Sequence, residues 1–112
     1  MENIAEKLPF RLIVSTPDKA ELILRCDSVS FSVPDGKDGK RGGSVGVRSG
    51  HVDAVFALAA GRIFAKVDSQ TVFDAMADAG VAFVENNCVT VLTNKVEISV
   101  IDRTSFWERE EA

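Results

Sequence analysis

The residues best suited to chemistry lie in one glycine-rich stretch between positions 34 and 44. It holds four glycines and three basic residues, a composition that can cradle a phosphate in other proteins. A P-loop, however, needs the spacing G-x-x-x-x-G-K-[ST] and a following helix, and a calcium loop needs alternating aspartates and a closing glutamate. Neither pattern is present, so the stretch is predicted to be a flexible surface loop, with a protein-contact loop and an anion site as alternatives. Its charged residues are Asp35, Lys37, Asp38, Lys40 and Arg41.

The other reactive side chains lack companions at catalytic spacing. His51 is the only histidine, so neither a His-x-x-x-His metal pair nor a Ser/His/Asp triad can be assembled. We expect a turn histidine bonded to backbone, with an interface contact as the alternative. Asp74 and Asp78 are expected to be solvated charges rather than a general acid and base. Cys26 and Cys88 lack C-x-x-C spacing and are expected to be two half-buried thiols, a disulfide or a metal site being the alternative.

The composition narrows the class of protein. The 112 residues favour one domain, and a net charge of −4 argues against nucleic-acid binding and against binding to an anionic membrane, which usually need a basic face. The start of the chain lacks the basic and apolar segments of a signal peptide. The longest apolar run, 54–60, is far short of the roughly 20 residues of a membrane helix. We therefore expect a cytoplasmic protein that does not insert into lipid.

The elements that must position these residues are predicted from alternation with period two, which places every second side chain on one face of a strand. The pattern is cleanest in Ser28–Val33, where Val29, Phe31 and Val33 alternate with serines. Aspartate and asparagine punctuate the runs, because they bond their own backbone and tolerate left-handed conformations. Many short strands at this spacing predict an all-β sandwich or barrel. The other alternating segments are 10–15, 21–26, 63–67, 81–85 and 89–91, with turns at 16–19, 59–61, 68–70 and 85–87.

The C-terminal end is harder to assign. Val96–Ile101 is rich in β-branched residues and is predicted to be a last strand. Ser105 and Glu108 have the spacing of a capping box, which predicts at most a single helical turn, since so short a helix is unstable in water. We expect a frayed or docked tail. An aromatic anchor under this tail, or alternatively a partner contact, is expected from Phe10, Phe106 and Trp107.

Five segments occur in the order and spacing of a known family. Together they resemble the epsilon subunit of F-type ATP synthases: an opening strand and turn, a strand leading to a glycine-rich turn, Gly-x-x-Gly and Pro-Gly-His elements, and a later hairpin. The resemblance covers residues 8–97, most of the chain. The segments are I-V-S-T-P-D-K (13–19), C-D-S-V-S (26–30), G-S-V-G-V and S-G-H (43–47 and 49–51), D-A-G-V-A-F-V-E (78–85) and V-T-V-L (89–92).

The resemblance implies a flattened β-sandwich of about ten strands that serves as a non-catalytic central-stalk subunit. In such a subunit one face packs on the gamma subunit, and loops at one end touch the ring of c subunits, which couples ion flow to ATP synthesis elsewhere. The glycine-rich loop would then face the c-ring, with Ser49, Gly50 and His51 as gamma-facing candidates. A cytoplasmic position peripheral to the inner cell membrane is implied, with no cofactor, metal or small-molecule ligand.

The sequence departs from the family pattern at several points. Ser49 and Asp53 stand where the family favours proline, and Ala79 stands where glycine is usual. The loop 34–44 is longer and more basic than the acidic family turn. The helical hairpin that follows the sandwich in many members is missing, so we expect the domain at 1–97 and a C-terminal extension at 98–112. The alternative interpretation is a freestanding β-sandwich protein-binding module that uses the basic glycine-rich loop.

Overall fold

β-Strands joined by short turns make up the part of the chain that the structure describes, and no helix occurs in that part. The computed structural model describes residues 10–35 and 42–102, and the backbone of 107–110. The eleven strands within these ranges are β1 (Phe10–Ser15), β2 (Leu22–Cys26), β3 (Ser28–Val33), β4 (Gly43–Arg48), β5 (Ala54–Leu58), β6 (Gly61–Val67), β7 (Gln70–Ala77), β8 (Gly80–Glu85), β9 (Cys88–Thr93), β10 (Val96–Ile101) and β11 (Trp107–Glu110).

The strands form two sheets packed face to face. The six-stranded sheet has the order β11-β2-β1-β9-β8-β5, and the five-stranded sheet has the order β10-β7-β6-β3-β4. Neighbouring strands run antiparallel except β1 and β9, which run parallel. The predicted all-β sandwich is therefore confirmed.

The core lies between the sheets and is filled by the inward side chains of alternating strands. In β1, every second residue from Phe10 to Val14 is buried while those between are partly exposed. In β3, Val29 and Phe31 are buried and the serines between them are not fully buried, as the alternation predicts. Phe31 also packs edge-to-face on Phe56, with ring centroids 5.4 Å apart.

Two hairpins turn through pairs of left-handed residues. Asp68 and Ser69 join β6 to β7 with φ of 48° and 67°, and Asn86 and Asn87 join β8 to β9 with φ of 51° and 59°. Two successive positive φ values define the type I′ turn, whose twist matches the flanking strands. The turns predicted at both places are confirmed.

The single helical turn expected near the C-terminal end is wrong for Trp107–Glu110, which pair with β2 as β11. Without β11, β2 would be a sheet edge with unpaired N–H and C=O groups, and a strand satisfies these whereas one helical turn does not. The capping box expected at Ser105 lies outside the described residues. Phe10 is fully buried, but the side chains of Phe106 and Trp107 also lie outside what is described, so the aromatic anchor stays a prediction.

The strand directions give the sandwich two distinct ends. One end holds residues 34–35, 42, 59–60 and 78–79, and we call it the loop end. The other holds residues 49–53, 68–69 and 86–87, and we call it the histidine end. The six residues of β4 run from one end to the other, which at about 3.3 Å per residue is roughly 20 Å.

Candidate docking surfaces

At the loop end, Asp35 closes the base of the glycine-rich loop. Its Oδ1 accepts a hydrogen bond from the backbone N–H of Gly42, with an N···O distance of 2.6 Å. A Cβ on Gly42 would overlap the carbonyl oxygen of Val33, so the two arms of the loop approach as closely as only glycine allows. The remaining loop residues predicted to face a partner, Lys37, Asp38, Lys40 and Arg41, lie outside the described residues.

At the histidine end, the turn after β4 carries Ser49, Gly50 and His51. Gly50 has a φ of +86°, a left-handed conformation that suits glycine. The backbone N–H of His51 donates to the carbonyl of Arg48 at 3.1 Å, and its ring Nδ1 lies 2.6 Å from the carbonyl oxygen of Val52. His51 is thus bonded to backbone in a turn, as the sequence predicts, while its role as an interface contact stays a prediction.

Asn87 holds the 49–51 turn in place. The sequence predicts only that Asn87 belongs to the turn at 85–87. Its Oδ1 accepts hydrogen bonds from Gly50 N–H at 2.8 Å and from the Ser49 hydroxyl at 3.4 Å. Its carbonyl oxygen also accepts from Arg11 N–H at 3.0 Å. One asparagine therefore ties the turn after β4 to the β8–β9 hairpin and to the start of β1, joining both sheets.

The two groups of predicted site residues do not come together. Asp35 lies at the loop end, whereas Ser49, Gly50 and His51 lie at the histidine end, separated by the length of β4. They cannot form one site. They can serve two partners that approach the sandwich from opposite ends.

The outer face of the six-stranded sheet carries exposed apolar side chains next to the charged Arg11, Arg25 and Glu85, and this surface was missed in the sequence. Val55, Phe83 and Leu92 are 67%, 39% and 42% exposed. Cross-strand pairing puts Val55 beside Phe83, Phe83 beside Thr90 and Thr90 beside Ile13, so the side chains form one continuous row. An apolar patch of this kind marks a protein contact. The signal was available, because 54–58 and 81–84 are apolar at almost every position rather than at every second one.

The outer face of the five-stranded sheet is rich in hydroxyl and charged side chains near the histidine end, while Met76 and Val100 are exposed on β7 and β10. A shallow groove of about 580 Å³ crosses it near the histidine end, lined by Ser28, Ser30, Arg48, Phe64 and Lys66 together with the 49–51 turn. The Lys66 ammonium lies 5.5 Å from the centre of the Phe64 ring, within cation–π range. The two outer faces therefore suit chemically different partners.

Asp74 on this polar face is paired rather than freely solvated. Its two carboxylate oxygens accept from the Arg62 guanidinium at 2.9 and 2.7 Å, and the same guanidinium stacks 4.1 Å from the centre of the Phe64 ring. The hydrogen bond from Arg62 lowers the pKa of Asp74 below its ordinary value. Asp78 lies beyond the end of β7. The pairing accounts for Asp74 and gives it no acid–base role.

The cysteines differ from the expected pair of half-buried thiols. Cys88 is half-buried, but Cys26 is fully buried because it points into the core from β2. Burial raises the pKa of the Cys26 thiol to about 12, with the negative charge of Asp27 adding to it. A thiol protonated at neutral pH is a poor nucleophile and a poor metal ligand. The structure joins neither cysteine in a disulfide.

Two further features concern the described ranges, 10–35 and 42–102. No three His, Cys, Asp or Glu side chains cluster there in a way that could hold a metal ion. Within the same ranges no helix has the length and hydropathy needed to cross a membrane.

Known proteins resemble this chain in sequence pattern and in fold. The family model described as ATP synthase, Delta/Epsilon chain, beta-sandwich domain matches residues 10–99. No curated protein matches the chain. Among solved structures, the fold is similar to a chain in the cryo-EM structure of the Euglena gracilis mitochondrial ATP synthase, OSCP/F1/c-ring in rotational state 1, with a TM-score of 0.60 and 17% sequence identity.

That structural match covers 81% of this chain and 55% of the Euglena chain, so this chain spans about half the length of its structural relative. At such low identity the likeness shows the fold alone. The family model, however, covers most of the sequence, including both hairpins and the parallel pairing of β1 with β9. The chain therefore belongs to the family of ATP synthase delta/epsilon chain β-sandwich domains.

Proposed function

We propose that the chain is a non-catalytic subunit of the central stalk of an F-type ATP synthase. In this role it joins the gamma subunit to the membrane c-ring and turns with them, so that ion flow at the ring is coupled to ATP synthesis in other subunits. It has no active site of its own, and it lies in the cytoplasm, held at the inner cell membrane through the complex. Membership of the delta/epsilon family supports this role.

The observation that carries the proposal is the apolar outer face of the six-stranded sheet. Val55, Phe83 and Leu92 expose large side chains side by side on adjacent strands. Complete burial of one such side chain from full exposure contributes about 1.5–3 kcal/mol, and a partner that covers the surface still exposed on these three gains part of that amount from each. We assign this face to the gamma subunit, with Ser49, Gly50 and His51 at its rim.

The glycine-rich loop has a different partner in this proposal. The residues that flank it, Asp35 and Gly42, lie at the opposite end from the 49–51 turn, as a subunit that bridges two partners requires. Its base is fixed by the Asp35–Gly42 hydrogen bond, which holds both arms of the loop together. We assign Asp35, Lys37, Asp38, Lys40 and Arg41 to the contact with the c-ring.

Copurification with the cognate gamma subunit tests the first contact. The double variant Val55→Ser, Phe83→Ser removes the centre of the apolar row and should weaken gamma binding at least tenfold, since truncating a central apolar anchor typically costs about 2 kcal/mol or more. Met76→Ser is the matched control, because Met76 is 53% exposed but lies on the other sheet. It should bind like the parent.

Thermal melting of all variants must accompany the binding measurement. Equal gamma binding by the double variant and by Met76→Ser would show that the apolar face is not the contact. Failure of the parent chain itself to bind gamma would contradict the stalk role and favour the freestanding binding module.

A further inference from the structure

The strand β4 is an edge of the five-stranded sheet, and it carries an inference that does not depend on the stalk role. It pairs with β3 over six residues without a register shift, and no described strand pairs with its other side. In an antiparallel pair, every second residue directs its backbone N–H and C=O away from the partner strand. β4 therefore presents a row of backbone donors and acceptors to a possible additional strand.

The opposite edge of the same sheet is protected, and β4 is not. β10 has a bulge between Ile98 and Val100, a device that discourages strand addition. β4 has no bulge, and two of its residues are glycines. A Cβ on Gly43 would meet nothing within 4 Å, and a Cβ on Gly46 would meet only the Ser30 hydroxyl at 3.7 Å. An incoming strand thus finds open space along β4.

The side chains next to this edge specify the chemistry of the incoming strand. On the outer face, Arg48 pairs with Ser28 and Ser28 with Lys66, so that two cations flank a hydroxyl in one cross-strand row. Among the described residues, no carboxylate lies within ion-pair distance of Arg48 or Lys66. On the inner face, Val45 and Val47 point toward the core.

We propose that β4 is a docking edge for an extended acidic segment of a partner protein, which adds to the sheet as a further strand. An acidic side chain of the segment lies on the outer face beside Arg48, and apolar side chains alternate with the acidic ones beside Val45 and Val47. Backbone hydrogen bonds along β4 hold the segment.

A synthetic peptide that alternates valine and glutamate, as long as β4 and capped at both ends, is the probe. Titration followed by calorimetry should show saturable binding to the full chain, and an equivalent peptide of valine and lysine should bind at least fivefold more weakly. The variant Arg48→Ser should weaken binding of the acidic peptide about two- to fivefold, because an exposed ion pair contributes up to about 1 kcal/mol. Lys95→Ser, an exposed lysine at the loop end, is the matched control and should change nothing.

Methylated peptides test whether the segment binds as a strand. All glutamate amides of an extended peptide point to one edge and all valine amides to the other. N-methylation of the amides that face β4 should therefore abolish binding, while N-methylation of the amides on the opposite edge should preserve it. Equal binding of both methylated peptides, equal binding of the lysine peptide, or no saturable binding of the acidic peptide up to about 1 mM would each overturn the proposal.

Discussion

Asn87 links separate parts of the chain at the histidine end. It adopts a left-handed conformation with φ of 59°, and its side chain and carbonyl accept three hydrogen bonds from two other segments, the turn after β4 and the start of β1. Asparagine tolerates this conformation better than most residues and supplies the acceptor at the same time. The position of the 49–51 turn depends on it.

Substitutions at Asn87 should separate the contribution of its side-chain acceptor from that of its tolerance for the left-handed conformation. Asn87→Ala removes the acceptor and forces a Cβ-bearing residue without a stabilising side chain into the left-handed region, so we expect the free energy of unfolding to fall by about 2–3 kcal/mol. Asn87→Gly relieves the conformation but still lacks the acceptor, and should cost about 1 kcal/mol. Asn87→Asp keeps the oxygen and should stay within about 0.5 kcal/mol of the parent. Urea denaturation measures all three, and equal losses for Ala and Asp would refute a role for the acceptor.

At the level of the elements, the backbones of β8 and β9 lie in close contact where β8 begins. A Cβ on Gly80 would overlap the carbonyl oxygen of Leu92, and the nearby Thr93 hydroxyl donates to the carbonyl of Asp78 at 2.8 Å. Backbone lies against backbone here, so no flexible side chain can move aside. The exposed apolar side chains of the six-stranded sheet depend on this contact, since Leu92 and Phe83 belong to these two strands.

The variant Gly80→Ala should lower the free energy of unfolding by about 1–3 kcal/mol, because the added methyl group forces the two backbones apart. Gly43→Ala is the control, as a Cβ there has open space, and it should change the free energy by no more than about 0.5 kcal/mol. Thermal melting of the two variants side by side provides the comparison. A Gly80→Ala protein as stable as Gly43→Ala would show that the strands separate without cost.

For the whole molecule, the decisive feature is the distribution of surfaces. The six-stranded sheet exposes Val55, Phe83 and Leu92 on its outer face, the five-stranded sheet has a groove lined by hydroxyl and cationic side chains, and the loop and histidine ends lie roughly 20 Å apart at the length of β4. Partners that approach the two ends would not compete for the same residues. That arrangement suits a linking subunit better than a carrier of one ligand.

The triple variant Lys37→Ser, Lys40→Ser, Arg41→Ser tests the contact proposed for the loop end. We expect little change in melting temperature, since surface substitutions usually stay within about 0.5 kcal/mol, and weaker attachment or coupling, since each exposed ion pair contributes up to about 1 kcal/mol. Proton or sodium pumping by the reconstituted complex measures the coupling. A second variant, Lys19→Ser, Lys95→Ser, removes charge at the same end outside the loop, and it should pump normally.

A large drop in melting temperature for the triple variant would show that these side chains are packed within the domain. Unchanged pumping and attachment would remove the contact with the ring. The two measurements together therefore distinguish a structural loop from a docking loop.

The sequence by itself determined the class of fold and much of the strand arrangement along the chain. Alternation with period two depends only on the geometry of a single strand, so the inward positions of β1 and β3 could be predicted without any neighbour. The same holds for the turns at 68–70 and 85–87, because Asp and Asn favour the left-handed conformation locally. Local rules suffice wherever the cause lies within a few residues.

Only the tertiary structure decided which residues share a surface. Val55, Phe83 and Ile13 are far apart in sequence and fall in one cross-strand row, with Thr90 between Phe83 and Ile13, because three different strand pairings align them. The exposed edge of β4 depends likewise on which strands pair, and so does the strand β11, whose residues favour no strand alone but satisfy the edge of β2. Such pairings are set by long-range backbone hydrogen bonds and by burial in a common core, neither of which is encoded in any single segment.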